Sequence, residues 1–140
     1  MALSMFINFD GDCRAAVEFY AEVFQSRVEN LMTYGEAPPD PNQPRNEADD
    51  GRIMYASIVI GGLPVMFMDM PGDMPLNKGD QITLTFSADT QAEVTRTFGA
   101  LAAGGVVFMP LQKTFYSPWY GMVQDRFGVI WHIMQGGEAA

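Results

Sequence analysis

His132 is the only histidine of the 140-residue chain, and its side chain is the best candidate for acid–base chemistry. Histidine changes its charge near neutral pH, so it can give up or accept a proton under ordinary conditions. It lies in the apolar run that follows Asp125, Phe127 and Gly128, an Asp-x-Phe-Gly pattern that predicts a hairpin turn capped by the aspartate. The sequence therefore offers two hypotheses for His132, a hydrogen-bonded binding residue or a general acid or base.

Strand alternation places two apolar residues beside this histidine. Ile130 and Met134 should share its face of the last strand, while Trp131 and Ile133 should point to the other. Gln81 is a second polar candidate, which could orient a ligand carbonyl or hold one tautomer of His132. His132, Ile130 and Met134 on the last strand, together with Gln81 on another strand, predict a site in which two polar side chains lie among apolar ones.

Cys13 is the only cysteine, so no internal disulfide can form. It lies at a predicted helix start, where a thiol can become reactive. A nucleophilic role would need a base, and His132 is the only histidine available. We therefore expect Cys13 to be a small buried residue.

Methionine and aromatic residues supply candidates for an apolar cavity. The chain has 11 methionines, whose flexible side chains fit irregular apolar ligands. The candidate lining residues are Met5, Met66, Met68 and Met134. Four aromatic residues, Phe115, Tyr116, Trp119 and Tyr120, precede the last hairpin. They could stack on a planar ligand at the cavity mouth, with Trp119 at its rim, although we expect two of the four to pack in the core.

Composition excludes several classes of function. Hydrophobic residues make up 48% of the chain and charged residues 18%, which is typical of one globular domain. A net charge of −9 argues against a nucleic-acid partner. No apolar run reaches the roughly 20 residues that a membrane helix needs. No signal peptide is visible, and the pairs Gly61-Gly62 and Gly104-Gly105 match no nucleotide-binding loop. We expect a cytoplasmic protein without a cofactor.

The apolar patterns predict the same order of elements twice, β-α-β-β-β. In the first module, about 1–70, strands are predicted at Leu3–Phe9, Val28–Tyr34, Arg52–Ile60 and Leu63–Met70, with a helix after Asp12. Residues 71–79 form a linker. In the second module, about 80–136, strands are predicted at Gln81–Ser87, Val106–Phe115, Trp119–Gln124 and Val129–Met134, with a helix after Asp89 or Thr90. The proline-rich Gly35–Gly51 segment should be a long mobile loop. The fold class is α+β, with two tandem modules forming a curved mixed sheet around a cavity.

Three segments carry a resemblance to a known family: 9–20, beginning Phe-Asp-Gly-Asp-Cys-Arg, 62–69, beginning Gly-Leu-Pro-Val-Met, and 121–131, which contains Gln-Asp-Arg-Phe-Gly. With the duplicated modules, the chain resembles the vicinal oxygen chelate superfamily of glyoxalases, bleomycin-resistance proteins and dioxygenases. Within it, the chain is most similar to the PhnB-like branch, which is also labelled demethylubiquinone methyltransferase-like. The resemblance implies a glyoxalase/bleomycin-resistance-like fold and a homodimer.

The resemblance also implies where a metal would bind. Metal-dependent members use four side chains, and the corresponding residues here are Met5, Met66, Gln81 and His132. Two thioethers, an amide and one imidazole are poor ligands for divalent ions, so we expect no metal. PhnB-like relatives often have a histidine where this chain has Tyr55.

Two functions remain open from the sequence. The first is a metal-free protein that binds a small apolar or aromatic molecule through Met5, Met66, Gln81, Trp119, Ile130, His132 and Met134 on a shared cavity. The alternative is an enzyme of glyoxalase or dioxygenase type with His132 as acid/base or weak metal ligand. A methyltransferase activity would need a glycine-rich loop after the first strand of a Rossmann-like sheet, and the sequence shows none.

Overall fold

A computed structural model describes residues 1–42 and 44–136 of the chain. The chain divides into two units, Met1–Asn77 and Lys78–Ala140. Each unit has one α-helix and one four-stranded mixed sheet, and the element order β-α-β-β-β occurs in both, as the sequence predicted. No helix among the described residues is long and apolar enough to cross a membrane.

The first unit is built from one α-helix and four strands, with two short 3₁₀ helices between its second and third strands. The elements are β1 Met5–Phe9, α1 Cys13–Val23, β2 Glu29–Thr33, β3 Ile53–Ile60 and β4 Leu63–Asp69. The strand order is β1-β4-β3-β2, with β1 and β4 parallel and the other pairs antiparallel. Gly61 and Gly62 join β3 to β4 with φ angles of 57° and 82°, a backbone that glycine adopts without strain.

Helix α1 packs on one face of this sheet. The ring of Phe67 on β4 stacks on Tyr20 of the helix at 5.6 Å between centroids and on Phe9 of β1 at 6.4 Å. All three side chains are buried, and they form the centre of the core of the unit. The opposite face, which we call the open face of unit 1, carries Phe6, Asn8, Tyr55, Ser57, Met66 and Met68.

The start of α1 is fixed by a carboxylate from β4. Asp12 is at the N-cap position, as predicted, but its side chain makes no cap hydrogen bond. Instead Asp69 Oδ1 accepts hydrogen bonds from the backbone N–H groups of Gly11 at 2.7 Å and Cys13 at 3.0 Å. Its Oδ2 accepts a third from the N–H of Ile53 at 2.9 Å. A carboxylate that is 1% exposed needs such partners, and here they tie α1, β3 and β4 together.

The Gly35–Gly51 segment has more structure than the sequence predicted. Short 3₁₀ helices occupy Tyr34–Glu36 and Glu47–Asp49. Asp49 is 8% exposed and accepts a hydrogen bond from the N–H of Gly72 at 3.1 Å. The two ends of the segment are also joined, since the N–H of Gly35 donates to the carbonyl of Asp50. These contacts are polar and distant in sequence, so hydrophobic periodicity gave no sign of them.

The second unit repeats the same plan. Its elements are β5 Leu84–Ala88, α2 Gln91–Ala102, β6 Val106–Gln112, β7 Tyr120–Gln124 and β8 Ile130–Gln135. The strand order β5-β8-β7-β6 corresponds to that of the first unit, and β5 and β8 are parallel. Thr90 is the residue that caps α2, because its Oγ1 accepts from the N–H of Glu93 at 3.2 Å.

Two strand boundaries differ from the prediction by three residues, and the others differ by at most two. β5 begins at Leu84 rather than Gln81, and Gln81 is exposed and lies in a bend before the strand. β6 ends at Gln112 rather than Phe115, because a turn follows it. In that turn the N–H of Thr114 donates to the carbonyl of Ser117, and the N–H of Ser117 donates to Thr114 Oγ1.

The hairpin between β7 and β8 is held by Asp125, as predicted. Its Oδ1 accepts from the N–H groups of Phe127 at 2.9 Å and Val129 at 3.1 Å. Its Oδ2 accepts from the indole N–H of Trp131 at 2.9 Å. Gly128 follows with φ 93°, which favours glycine. The turn therefore fixes both the start and the register of the strand that carries His132.

Helix α2 covers one face of the second sheet. Phe98 of the helix lies so close to β7 that a Cβ at Gly121 would be 2.6 Å from its ring. Trp131 and Ile133 of β8 are buried on the same side, at 2% and 0% exposure. The opposite face is the open face of unit 2, with Thr85, Ser87, Tyr120, Met122, Gln124, Ile130, His132 and Met134.

Candidate functional site

His132 lies on the open face of unit 2. Its side chain is half-buried, whereas its neighbours Trp131 and Ile133 point toward α2. The strand register places Thr85 of β5 on one side of His132 and Met122 of β7 on the other. The predicted alternation along this strand is therefore confirmed.

A tyrosine orients the imidazole of His132. The Tyr120 hydroxyl forms a hydrogen bond with Nδ1 of His132 at 2.5 Å. Tyr120 is 7% exposed, and the rings of Tyr116 and Tyr120 meet edge to face at 5.2 Å between centroids. Burial, followed by the neighbouring Tyr116, raises the pKa of Tyr120, so its hydroxyl keeps its proton at neutral pH. This leaves Nε2 as the ring nitrogen available to a ligand.

The two units place equivalent side chains at equivalent positions. Met66 pairs with Phe6 of β1 in the same register in which His132 pairs with Thr85 of β5. Met68 corresponds to Met134 in the same way. Tyr55 occupies in β3 the position that Tyr120 occupies in β7. The open face of unit 1 thus carries a phenol at the same position as that of unit 2, but it has a phenyl ring and a thioether where unit 2 carries a hydroxyl and an imidazole.

Three residues predicted for the site lie away from the open faces. Met5 pairs with Val65, on the side covered by α1, so the neighbour of Met66 is Phe6. The indole N–H of Trp119 donates to Thr95 Oγ1 of α2 at 2.9 Å, so Trp119 lies on the helix side. Gln81 precedes β5 and has no place in its register.

The open faces contain candidate site residues that the sequence did not indicate. Phe6 and Thr85 were missed because counting from the helix caps placed the first strands out of register by one residue and by four. Tyr120 was considered only as one of four aromatic residues. Strand alternation from Gly121, where a tight contact with α2 is needed, would have placed it beside His132.

Cys13 has no features of a nucleophile. It is 0% exposed, and burial, followed by the charges of Asp69 and Asp12, raises its pKa to about 12. A thiol is reactive as a thiolate, which this environment disfavours. The prediction of a small buried residue is confirmed.

The side chains of the open faces do not fit a divalent metal. In unit 1 the register pair Phe6–Met66 offers a phenyl ring and a thioether, and in unit 2 the pair Thr85–His132 offers a hydroxyl and one imidazole. Neither pair includes a carboxylate to offset the charge of an ion. Over residues 1–42 and 44–136, His, Cys, Asp and Glu side chains form no group of three that could hold a metal.

The chain is similar in sequence and fold to known proteins. The family model described as 3-demethylubiquinone-9 3-methyltransferase matches residues 1–134. The chain belongs to that family. The crystal structure of protein PA1353 from Pseudomonas aeruginosa is similar to this family member, with 31% identity and a TM-score of 0.86, covering 96% of this chain and 97% of the other.

Two further structures share the fold. A putative 3-demethylubiquinone-9 3-methyltransferase, PhnB protein, from Bacillus cereus has 24% identity and a TM-score of 0.78, covering 97% of this chain and 100% of the other. A glyoxylase/bleomycin resistance protein/dioxygenase domain from Frankia sp. EAN1pec has 17% identity and a TM-score of 0.67, covering 100% and 94%. The family member thus has the vicinal oxygen chelate fold and belongs to its PhnB-like branch, as the sequence predicted.

Proposed function

We propose that this protein binds a small apolar or aromatic molecule without a metal, and that His132 orients the ligand. The observation that carries the proposal is the hydrogen bond between Tyr120 and His132 on the open face of unit 2. A buried phenol holds Nδ1, so the ring is fixed and Nε2 is left for one directed hydrogen bond. Pockets for small molecules commonly combine apolar walls with a few fixed polar groups.

Methionines supply the apolar part of this surface. Met122 is the register neighbour of His132 on β7, and Met134 follows two residues later on the same face. Both side chains are half-buried. Thioether side chains adapt to irregular shapes, so they accommodate a ligand whose orientation is set by the imidazole.

Of the ligand-binding set proposed from the sequence, Met66, Ile130, His132 and Met134 lie on open faces. The positions of Met5, Gln81 and Trp119 give them no support as ligand contacts. In their place we propose Thr85 and Tyr120, which lie on the open face of unit 2 with His132.

The donor set supports a metal-free site, and elemental analysis tests this directly. Protein purified without chelators should contain no stoichiometric divalent metal after dialysis. A metal that survives dialysis, and whose removal lowers the melting temperature, would contradict the proposal and favour an enzyme of glyoxalase or dioxygenase type.

An acid–base enzyme is the second candidate function. The same Tyr120–His132 pair favours it, because a hydrogen-bonded partner on one ring nitrogen orients the other for proton transfer. Turnover of a bound molecule that is lost in His132→Gln, while binding is retained, would support the enzyme over the binding protein.

The family name describes a methyltransferase, and the residues do not fit its usual cofactor. S-adenosylmethionine enzymes of the common type bind it at a glycine-rich loop after the first strand of a Rossmann-like sheet. Here Asp10-Gly11-Asp12 follows β1, and Gly11 lies beside the Arg52 guanidinium, which pairs with Asp10 at 2.9 Å. The loop after β1 therefore gives no support for methyl transfer by this site.

We also propose a homodimer. Each sheet has two edge strands, β1 and β2 in unit 1 and β5 and β6 in unit 2, and exposed strand edges are usually paired or covered. On β6, Val106, Val107 and Phe108 are 55%, 45% and 49% exposed. Light scattering at micromolar concentration should give twice the 15.5 kDa chain mass, and a monomer mass would count against the proposal.

Variants at one position test the binding proposal. Small molecules extracted from purified wild type should be reduced in amount in His132→Ala and absent in His132→Phe, whose ring fills the site without a hydrogen bond. His132→Gln retains an amide at the end of the side chain and should recover part of the binding. Loss of one hydrogen bond corresponds to roughly two- to tenfold weaker binding. Equal amounts in wild type and His132→Ala, with both folded, would overturn the proposal.

A further inference from the structure

The orientation of the hydrogen bond between Tyr120 and His132 decides what kind of ligand the site can take. A neutral imidazole has one nitrogen that donates and one that accepts. If Nδ1 accepts from the Tyr120 hydroxyl, Nε2 carries the proton and is a donor. If Nδ1 donates, Nε2 is an acceptor. The two arrangements select ligands of opposite chemistry.

We infer that Tyr120 is a positioning residue that donates its hydroxyl proton to Nδ1 of His132, so that Nε2–H is a donor for an acceptor oxygen of the ligand. The inference rests on the proposed binding function and specifies its ligand class. That class is a molecule with a carbonyl or carboxylate oxygen joined to an apolar body.

The surroundings of the phenol support this direction. Tyr120 is 7% exposed, so its hydroxyl proton needs a partner within the protein. The hydroxyl oxygen of Tyr120 lies 2.5 Å from Nδ1 of His132, and a nitrogen lone pair is a better acceptor than a phenol oxygen. Tyr116 is the other neighbour of Tyr120, and it is 45% exposed, so its own hydroxyl can donate to Tyr120 or to water.

The ligand side of the ring is also consistent with a donor. Within the described residues, the protein supplies no hydrogen-bond partner to Nε2 of His132. The flanking Met122 and Met134 provide at most weak acceptors. A ligand oxygen at this position would satisfy Nε2–H, and the methionines would contact the apolar part of the same molecule.

The single histidine makes the tautomer directly measurable. The measurement is nitrogen-15 NMR of the full chain at about pH 9, above the range in which histidine side chains usually change charge. The imidazole signals come from one side chain only, because His132 is the only histidine. We expect a protonated Nε2 and an unprotonated Nδ1. In Tyr120→Phe the ratio of the Nε2–H tautomer to the Nδ1–H tautomer should fall roughly two- to tenfold, as expected for the loss of one hydrogen bond.

Two control variants separate positioning from packing. Tyr55→Phe removes the hydroxyl at the equivalent position of unit 1 and should leave the ratio unchanged. Tyr116→Phe should also leave it unchanged if Tyr120 donates to His132. A shift in Tyr116→Phe would mean that Tyr120 donates to Tyr116 instead and would overturn the inference, even if Tyr120→Phe fails to fold.

Other outcomes are equally decisive. Protonated Nδ1 in the wild type, or a ratio in folded Tyr120→Phe equal to that of the wild type, would overturn the inference. The spectra need no ligand, so they fail or succeed separately from the binding proposal. A confirmed Nε2–H tautomer with no difference in binding between wild type and His132→Ala would contradict the proposed function alone.

Discussion

Asp125 should be the residue on which the hairpin carrying His132 depends most strongly. It is 3% exposed and accepts three hydrogen bonds, from the N–H groups of Phe127 and Val129 and from the indole of Trp131. Asp125→Asn keeps an oxygen for the two backbone donors but places an amide against the indole N–H. Loss of one hydrogen bond to a charged group predicts a decrease in the free energy of unfolding of about 2 kcal/mol.

Asp125→Ala should be more damaging, because it leaves all three donors without their acceptor. Two of these are backbone groups in a half-buried turn that water can partly reach, so we expect about 4 kcal/mol rather than the full sum. Urea denaturation followed by circular dichroism gives both values.

A double-mutant cycle with Trp131→Phe isolates the indole contact. In that background Asp125→Asn should cost about 1–2 kcal/mol less than in the wild type, because the donor that opposes the new amide is gone. Equal costs for Asp125→Asn in the two backgrounds, or equal costs for Asp125→Asn and Asp125→Ala, would refute the reasoning.

Two further predictions concern the first unit. The unfolded thiol of Cys13 loses its proton above about pH 9, whereas the folded thiol keeps it to about pH 12, so the free energy of unfolding should fall with rising pH in this window, by at most ~1.4 kcal/mol per unit. Urea titrations should show a smaller decline in Cys13→Ala, and identical slopes would contradict the assigned pKa. In the free protein, amide hydrogens between the two 3₁₀ helices should exchange rapidly while those of Gly35 and Arg52, which have backbone acceptors, exchange slowly. Slow exchange throughout Gly35–Gly51 would contradict a mobile loop.

The order of elements was predictable because each element is encoded locally. Apolar alternation marks β8, and the turn at Asp125 needs only residues that follow one another in the chain. The anchoring of α1 was not predictable in this way. Asp69 takes the capping role expected of Asp12, and it comes from a strand 56 residues later than Cys13, a pairing that no local pattern indicates.

The candidate site was predicted in part for the same reason. His132, Ile130 and Met134 share one strand, so alternation alone places them together. The neighbours of Met66 and His132 come from β1 and β5, whose register depends on long-range pairing. An error of one residue then exchanges one sheet face for the other, as between Met5 and Phe6.

We propose that this protein holds a small molecule through His132 and not a metal. Native mass spectrometry of wild type and His132→Ala, purified from the native host, tests it most directly. We expect a non-covalent small-molecule mass on the wild type that is reduced or absent in His132→Ala, with no stoichiometric metal on either. A divalent metal on the wild type, or the same ligand occupancy in both proteins, would contradict it.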